Sequence, residues 1–376
     1  MKVSCLQENL AKGLSIVSRA VAPRSTLPVL GNVLLATDNA RLRLSATNLE
    51  LGITCWIGAK VEEEGSTTVP AKTFADFVNT LPQEKVEMAL VVRTQTLTLS
   101  CGRMQAHVKG IDAQEFPLIP PADIDHALQL NVDDFREMIN HVTFAAATDE
   151  ARPLLTGVLA KIEGGQLTLA AADGFRLSVR TAQLSSPAAD SVNVIIPARA
   201  LAELGRIITA EEPVYMSLPP GRGQVIFHHG NVELVSQLIE GTFPEYTNII
   251  PKAHTTRTVM STADFRKACK SSDIFAREAS HTARLKIKPG SDLTPGQVVV
   301  SANAAETGDN VAELDASVDG GGVEIAFNVK YLVDVLNVIE TPNVALETST
   351  ATSPGVIRPV GRDDFLCVIM PMHIGK

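Results

Sequence analysis

The chain has 376 residues, 45% of them apolar and 20% charged, with a formal net charge of −9. That length suggests two to three domains with ordinary cores, and the acidic balance excludes a surface that adheres to nucleic acid all over. No run approaches the ~18 apolar residues of a membrane helix, and Met1 to Glu8 lacks the apolar stretch of a secretion signal.

In chain order, a short strand leads into a helix whose apolar positions are Leu10, Leu14 and Val17. Pro28 to Leu34 and Leu42 to Ala46 read as paired β stretches. A second helix follows Val69-Pro70-Ala71-Lys72, with Phe74, Phe77, Val78 and Leu81 at the i, i+3, i+4, i+7 spacing of one apolar stripe. Thr96 to Ser100 then alternates with period two, the mark of a sheet with one buried face. Glu115-Phe116-Pro117 closes the unit.

The same order then runs again. Phe135, Ile139 and Val142 form the next first helix, and Pro153 to Leu159 and Leu167 to Ala171 the next strands. Ile196-Pro197-Ala198-Arg199 opens the next second helix, with Leu201, Leu204 and Ile208 as its stripe. Val232 to Val235 alternates, and Thr242-Phe243-Pro244 closes the copy. A third pass has Phe265 and Cys269, Val298 to Ala302, and Phe327-Asn328-Val329-Lys330 before Leu332, Val335, Leu336 and Ile339. A repeat this long is a domain, not a solenoid unit of 20 to 50 residues. The predicted fold is therefore α+β: three copies of a domain in which two helices pack on antiparallel sheet, at residues 1–122, 123–251 and 252–376.

Catalytic chemistry is hard to find in this pattern. There is no GxxxxGK[ST], HExxH or GxSxG, so neither an enzyme nor a cofactor or metal is expected. His228 and His229 are adjacent on a strand and face opposite ways, which favours a solvated hairpin over a metal site. Asp173-Gly174 and Asp363-Asp364 read as turns. The five cysteines are an odd number without CxxC spacing and read as buried free thiols of a cytoplasmic protein.

The basic residues are not spread evenly. Lys12 and Arg19, Arg136, and Arg266, Lys267 and Lys270 fall on the first helices of successive copies. Lys72, Arg199, Arg206 and Lys330 fall on the second helices, and Lys72, Arg199 and Lys330 occupy one repeat position three times. Cations recurring on the helices of an acidic body point to phosphate contact confined to one face.

Four segments carry a resemblance to a known family: Arg24 to Leu35, Ala171 to Ser178, Thr242 to Tyr246 and Val368 to Met372. In this order and on a threefold repeat, the chain resembles the bacterial DNA polymerase III β subunits, the sliding clamps, over essentially its full length. The resemblance implies a head-to-tail homodimer of six domains closed into a ring around duplex DNA, bound without regard to sequence. It implies as partners the polymerase III catalytic subunit, the clamp loader and other proteins carrying a clamp-binding peptide, and makes the chain a processivity factor. Arg24 and the stretch from Asp149 to Arg152 match family loops that touch DNA, and Ile274 and Phe275 match the apolar pair of the subunit contact. The implied peptide groove comprises Leu155, Ala172, Gly174, Phe175, Arg176, Leu177, Pro244, Asn248, Ile249, Val368, Met370, Pro371 and Met372. Ala172 replaces a common threonine, Asn248 an often basic residue, and His373 a common arginine, which bears on peptide preference. The third copy reads Asn303-Ala304-Ala305-Glu306 where the second has Asp-Gly, consistent with one groove per chain. The competing reading is a triplicated α+β protein-binding scaffold without a DNA role.

Overall fold

The computed structural model describes residues 1–22, 26–124, 127–184, 191–209, 212–291 and 294–373. The chain forms two compact units, one of residues 1–133 with 203–238, the other of 134–202 with 239–376.

In the first unit the helices α1 (Gln7–Val17) and α2 (Ala71–Thr80) bury their predicted faces, with Leu10, Leu14, Val17, Phe74 and Val78 all at or below 1% exposure. A five-stranded antiparallel sheet runs in the order Lys60–Glu63, Lys2–Leu6, Lys85–Val91, Thr96–Cys101, Met104–Lys109. An eight-stranded sheet includes Asn32–Asp38, Arg41–Thr47 and Leu51–Gly58, and continues from Leu51–Gly58 onto Val232–Gln237. Strands of the first and second repeats are thus paired edge to edge.

The second unit repeats that junction. It holds α3 (Val132–Thr143) from Asp134 onward, the start of α4 (Ala198–Ile207), α5 (Thr262–Ala276) and α6 (Val329–Val338). Its twelve-stranded sheet passes from the second repeat to the third where Arg176–Gln183 pairs with Phe365–Ile369, Leu177 opposite Val368. Ser261 and Asn328 cap α5 and α6 by accepting from the Asp264 and Lys330 backbone N–H groups, at 3.3 and 3.0 Å.

Three expectations need correction. The β stretches predicted from Pro28 and Pro153 begin later. Pro28–Gly31 and Pro153–Thr156 each form a 3-10 turn, and the strands start at Asn32 and Gly157. Proline at the first position presets φ and has no N–H to give a ladder. Leu81, Ile208 and Ile339 sit just beyond α2, α4 and α6 yet remain buried, so the apolar stripe outlasts the helix. His229 is not at a solvated tip: it is 6% exposed, its Nε2 accepts from Thr209 N at 3.0 Å, and it brackets the chain after α4.

All five cysteines are buried and free. Burial pushes the Cys5 and Cys367 thiols up to about 12 and Cys55 to about 11, so none is a ready nucleophile.

An ionic network spans the junction of the second and third repeats. Arg362 grips Glu137 of α3 with two bonds of 2.6 and 2.8 Å. Arg180, its side chain 3% exposed, pairs with Glu137 at 2.9 Å and with Asp364 at 2.6 Å. Alongside, the buried His141 ring stacks on Phe365 at 4.1 Å, and burial lowers its pKa. Hydrogen bonds from Arg362, then from Arg180, hold the Glu137 carboxyl down at about 2 against the opposing effect of its burial. A depressed carboxylate contributes stability above its unfolded value of about 4.3 and loses it as pH falls. Glu137→Gln should therefore destabilise the protein by about 2 kcal/mol at neutral pH. In urea titrations the gap to wild type should shrink as pH drops from about 4.3 toward 2; a gap independent of pH would show that the charge is not what matters.

Candidate DNA-facing helices and peptide groove

Lys72, Arg199 and Lys330 are the second residues of α2, α4 and α6, and all three are exposed. A cation in the first turn opposes the helix dipole, a cost of about 0.3–1 kcal/mol. Each cation also has an acid one turn on, Asp76, Glu203 and Asp334. Only Asp76 answers its own lysine, at 3.3 Å with both side chains open to water. Glu203 is taken by Arg19 at 2.9 Å and Arg206 at 2.8 Å, and Asp334 by Arg176 at 2.6 Å. Arg199 and Lys330 consequently make no ion pair among the described residues.

Of the remaining predicted cations, Lys12, Arg136, Lys267 and Lys270 are exposed on α1, α3 and α5, and Arg266 is half-buried on α5. Arg24 lies outside the described residues. Arg152 is engaged within the chain: its Nη1 donates to the Asp173 carbonyl at 2.6 Å, and its Nε lies 3.6 Å from Asp149.

The predicted groove residues converge in the second unit. Asp173 is buried, and its Oδ1 accepts from the Phe175 and Arg176 backbone N–H groups at 2.9 and 3.0 Å. Gly174 turns the chain at φ +93°, a conformation glycine adopts without strain, and Phe175 is left 58% exposed. The Phe175 carbonyl accepts from Met370 N at 2.9 Å, which ties this turn to the C-terminal segment. Leu177 and Val368, opposite each other in the ladder, are buried at 1% and form the floor, with Ala172 beside them. Phe243, Tyr246 and Leu154 pack on that floor. Burial raises the Tyr246 pKa. Of the other candidate groove residues, Leu155, Pro371 and Met372 are half-buried and Pro244, Asn248, Ile249 and Met370 exposed, and Met372 N donates to the Ala326 carbonyl at 2.8 Å. Phe175, Ile249 and Met370 are among the larger apolar side chains left open to solvent.

Arg176 is the brace of this site. Its Nε bonds Asp173 at 3.0 Å, Nη1 bonds Asp334 at 2.6 Å and Nη2 donates to the Phe144 carbonyl at 2.6 Å. The guanidinium also lies over the Tyr331 ring at 4.3 Å and near Phe144 at 5.4 Å. Sequence reasoning missed Phe144, Tyr331 and Asp334; the recurring acid one turn after each repeat cation was the signal available. Ile274 and Phe275 part company at the end of α5: Ile274 is 61% exposed, while Phe275 packs on the third-repeat core. Among the described residues no cluster of His, Cys, Asp or Glu could hold a metal, and no helix is long and apolar enough to cross a membrane.

Helices over antiparallel sheets in a repeated frame define a three-domain clamp fold. The comparisons agree. Family models described as the N-terminal, central and C-terminal domains of the DNA polymerase III beta subunit match residues 1–120, 129–245 and 247–373. A beta sliding clamp of Synechococcus elongatus is 33% identical over 380 residues, covering all of both chains. One of Staphylococcus aureus is 32% identical over 364 residues, 94% of each. Among solved structures, the DNA polymerase sliding clamp of Bacillus subtilis superposes with a TM-score of 0.92 at 28% identity, and one of Pseudomonas aeruginosa with 0.90 at 30%, each covering both chains fully. The chain belongs to the DNA polymerase III beta subunit family, the sliding clamps. Its function is that of a DNA polymerase processivity factor.

Replacing Arg176 by methionine leaves Asp173 and Asp334 without their guanidinium. We expect a loss of about 2–3 kcal/mol in urea unfolding. Lysine at this position should recover less than half, because one ammonium cannot reach all three acceptors in the guanidinium's planar geometry; full recovery by lysine would show that charge alone suffices.

Proposed function

We propose that two copies pair head to tail into a ring around duplex DNA, and that the chain does its work by topology, not by catalysis. A heterologous contact used twice closes such a dimer. Two unpaired strand edges support it. Met104–Lys109 ends the five-stranded sheet, and residues 308–316 are paired on one side only, with 296–304. The first carries His107 and Lys109, with Arg103 in the turn before it; the second carries Asp309, Glu313 and Asp315. Antiparallel pairing between copies would cover both edges, join opposite charges, and set Ile274 at the contact. The three repeats would then serve as domains 1–122, 123–251 and 252–376.

The observation that carries the DNA reading is the exposed cation at the second position of α2, α4 and α6. Phosphate contacts bear no sequence information, so a ring held by topology slides while these cations hold it loosely. We assign the same duty to Lys12, Arg136, Arg266, Lys267 and Lys270, and to Arg24. Arg19, Arg206 and Arg152 already have partners within the chain and serve DNA only by exchanging them. The groove around Leu177 and Val368 takes a short apolar peptide from the polymerase III catalytic subunit, the clamp loader and other clamp-binding proteins, in the cytoplasm where replication proceeds. Exposed Met370 and half-buried Met372 re-pack around varied ligands.

Light scattering should first give a particle of twice the 40.1 kDa chain. Loaded on nicked circular DNA, the ring should persist and be lost within the dead time once the circle is cut. Replacing Lys72, Arg199 and Lys330 together with glutamate should shorten residence on the circle about tenfold or more at low salt, with the melting temperature unchanged. Equal retention on circular and linear DNA would defeat the topological reading and leave a protein-binding scaffold.

A further inference from the structure

The eight-stranded sheet of the first unit carries a cavity of about 450 Å³ on one face, roofed by Phe116, Pro117, Leu118 and Ile119. The repeat explains why it is open. In the second copy the equivalent ladder position pairs Ala170 with Val179, and both pack with Phe243 and Tyr246 into a dry cluster. In the first copy the same register pairs Ser45 with Thr54, and Arg43 stands where the second copy has Thr168. The roof keeps Phe116 in the place of Phe243 but has Ile119 in the place of Tyr246. One copy has filled this space with carbon, and the other has lined it with donors.

Those donors lack acceptors. Ser45 and Thr54 are 3% and 5% exposed, and their hydroxyls bond each other at 3.0 Å. Such a pair uses one O–H internally, and the second has no acceptor among the described residues. The Arg43 Nε is buried without a hydrogen-bond partner, and Arg43 makes no ion pair with Glu64, which stands at the same cavity. A hydroxyl left unmatched and a guanidinium that lines the cavity without an ion pair call for an acceptor-rich occupant, met by the Arg43 Nη groups because its Nε is closed off from the cavity. The apolar walls, Leu34, Phe116 and the 94%-exposed Leu118, call for a carbon body. The volume lies within the range of small-molecule sites.

We propose that this cavity binds a small monocarboxylate, its carboxylate on Arg43 and the Ser45–Thr54 pair and its apolar part under Phe116 and Leu118. The site is separate in sequence from the peptide groove and does not depend on the ring.

The probe is 4-phenylbutyrate, titrated calorimetrically into the full-length protein, with neutral 4-phenylbutyramide as control and a crystal soak to locate it. We expect saturable binding to the acid and at least about tenfold weaker binding of the amide, as loss of a charge-assisted bond dictates. Arg43→Gln should weaken the acid by a similar factor. The double change Ser45→Ala with Thr54→Val, which installs the second copy's own residues, should abolish it. If the double variant does not fold, Arg43→Gln with its melting temperature checked decides alone. No saturable heat up to roughly 10 mM, equal affinity for acid and amide, an unchanged Arg43→Gln titration, or a soak showing only ordered water would each overturn the proposal.

Discussion

The pairing of Arg176–Gln183 with Phe365–Ile369 is the contact on which the second unit depends. One face of that ladder, Leu177 and Val368, joins the buried cluster that would floor the proposed groove. The opposite face of the first strand carries Arg176, Ser178 and Arg180, alternating by the two-residue period of a strand. These side chains reach α3 and α6: Ser178 Oγ donates to the His141 carbonyl at 2.5 Å, Arg176 reaches Asp334, and Arg180 reaches Glu137. The same eight residues therefore hold two repeats together and shape the surface proposed to receive partners. Loosening one loosens the other.

The equivalent strand of the first repeat makes its junction differently. Leu51, Ile53 and Cys55 stand in the register of Arg176, Ser178 and Arg180, and all are buried. Apolar packing supplies stability without a desolvation penalty, whereas two buried arginines recover theirs only if every acceptor is in place. Arg180 and Arg362 share Glu137 and Asp364, two cations with two anions, while the buried Arg180 Nε is left without a hydrogen-bond partner.

Much of this was legible in the sequence because it is local. Helical stripes such as Phe74 and Val78, the Asp173-Gly174 turn and the threefold Lys72, Arg199, Lys330 position all follow from spacing along the chain. The proposed groove is implied only by the resemblance, since Leu155, Leu177, Pro244 and Met370 come from four distant segments that no periodicity joins. The pairings of the braces were not legible: the acid recurring after each repeat cation marks Asp334 but not its partner. Arg362 and Glu137 are 225 positions apart, and Arg176 and Asp334 are 158 apart, so nothing near either residue announces the other. His229 misled for a related reason: its partner, the Thr209 N–H, belongs to the chain leaving α4, outside its own hairpin.

The acid one turn after each repeat cation shows how three copies of one frame diverge. Asp76 neutralises Lys72 in water, where an exposed pair contributes little. Glu203 turns instead to Arg19 and Arg206, gathering two cations around one acid and leaving Arg199 without an ion pair among the described residues. Asp334 is drawn away to Arg176, which leaves Lys330 in the same condition. Each diversion does two things at once. It spends the acid on a structural contact, and it strips the nearby first-turn cation of its only local counterion. A cation so placed, opposed by its own helix dipole and unanswered by its neighbour, would have less to give up in the proposed contact with an external phosphate. The repeat's structural braces and its proposed DNA contacts are thus two consequences of where one carboxylate points.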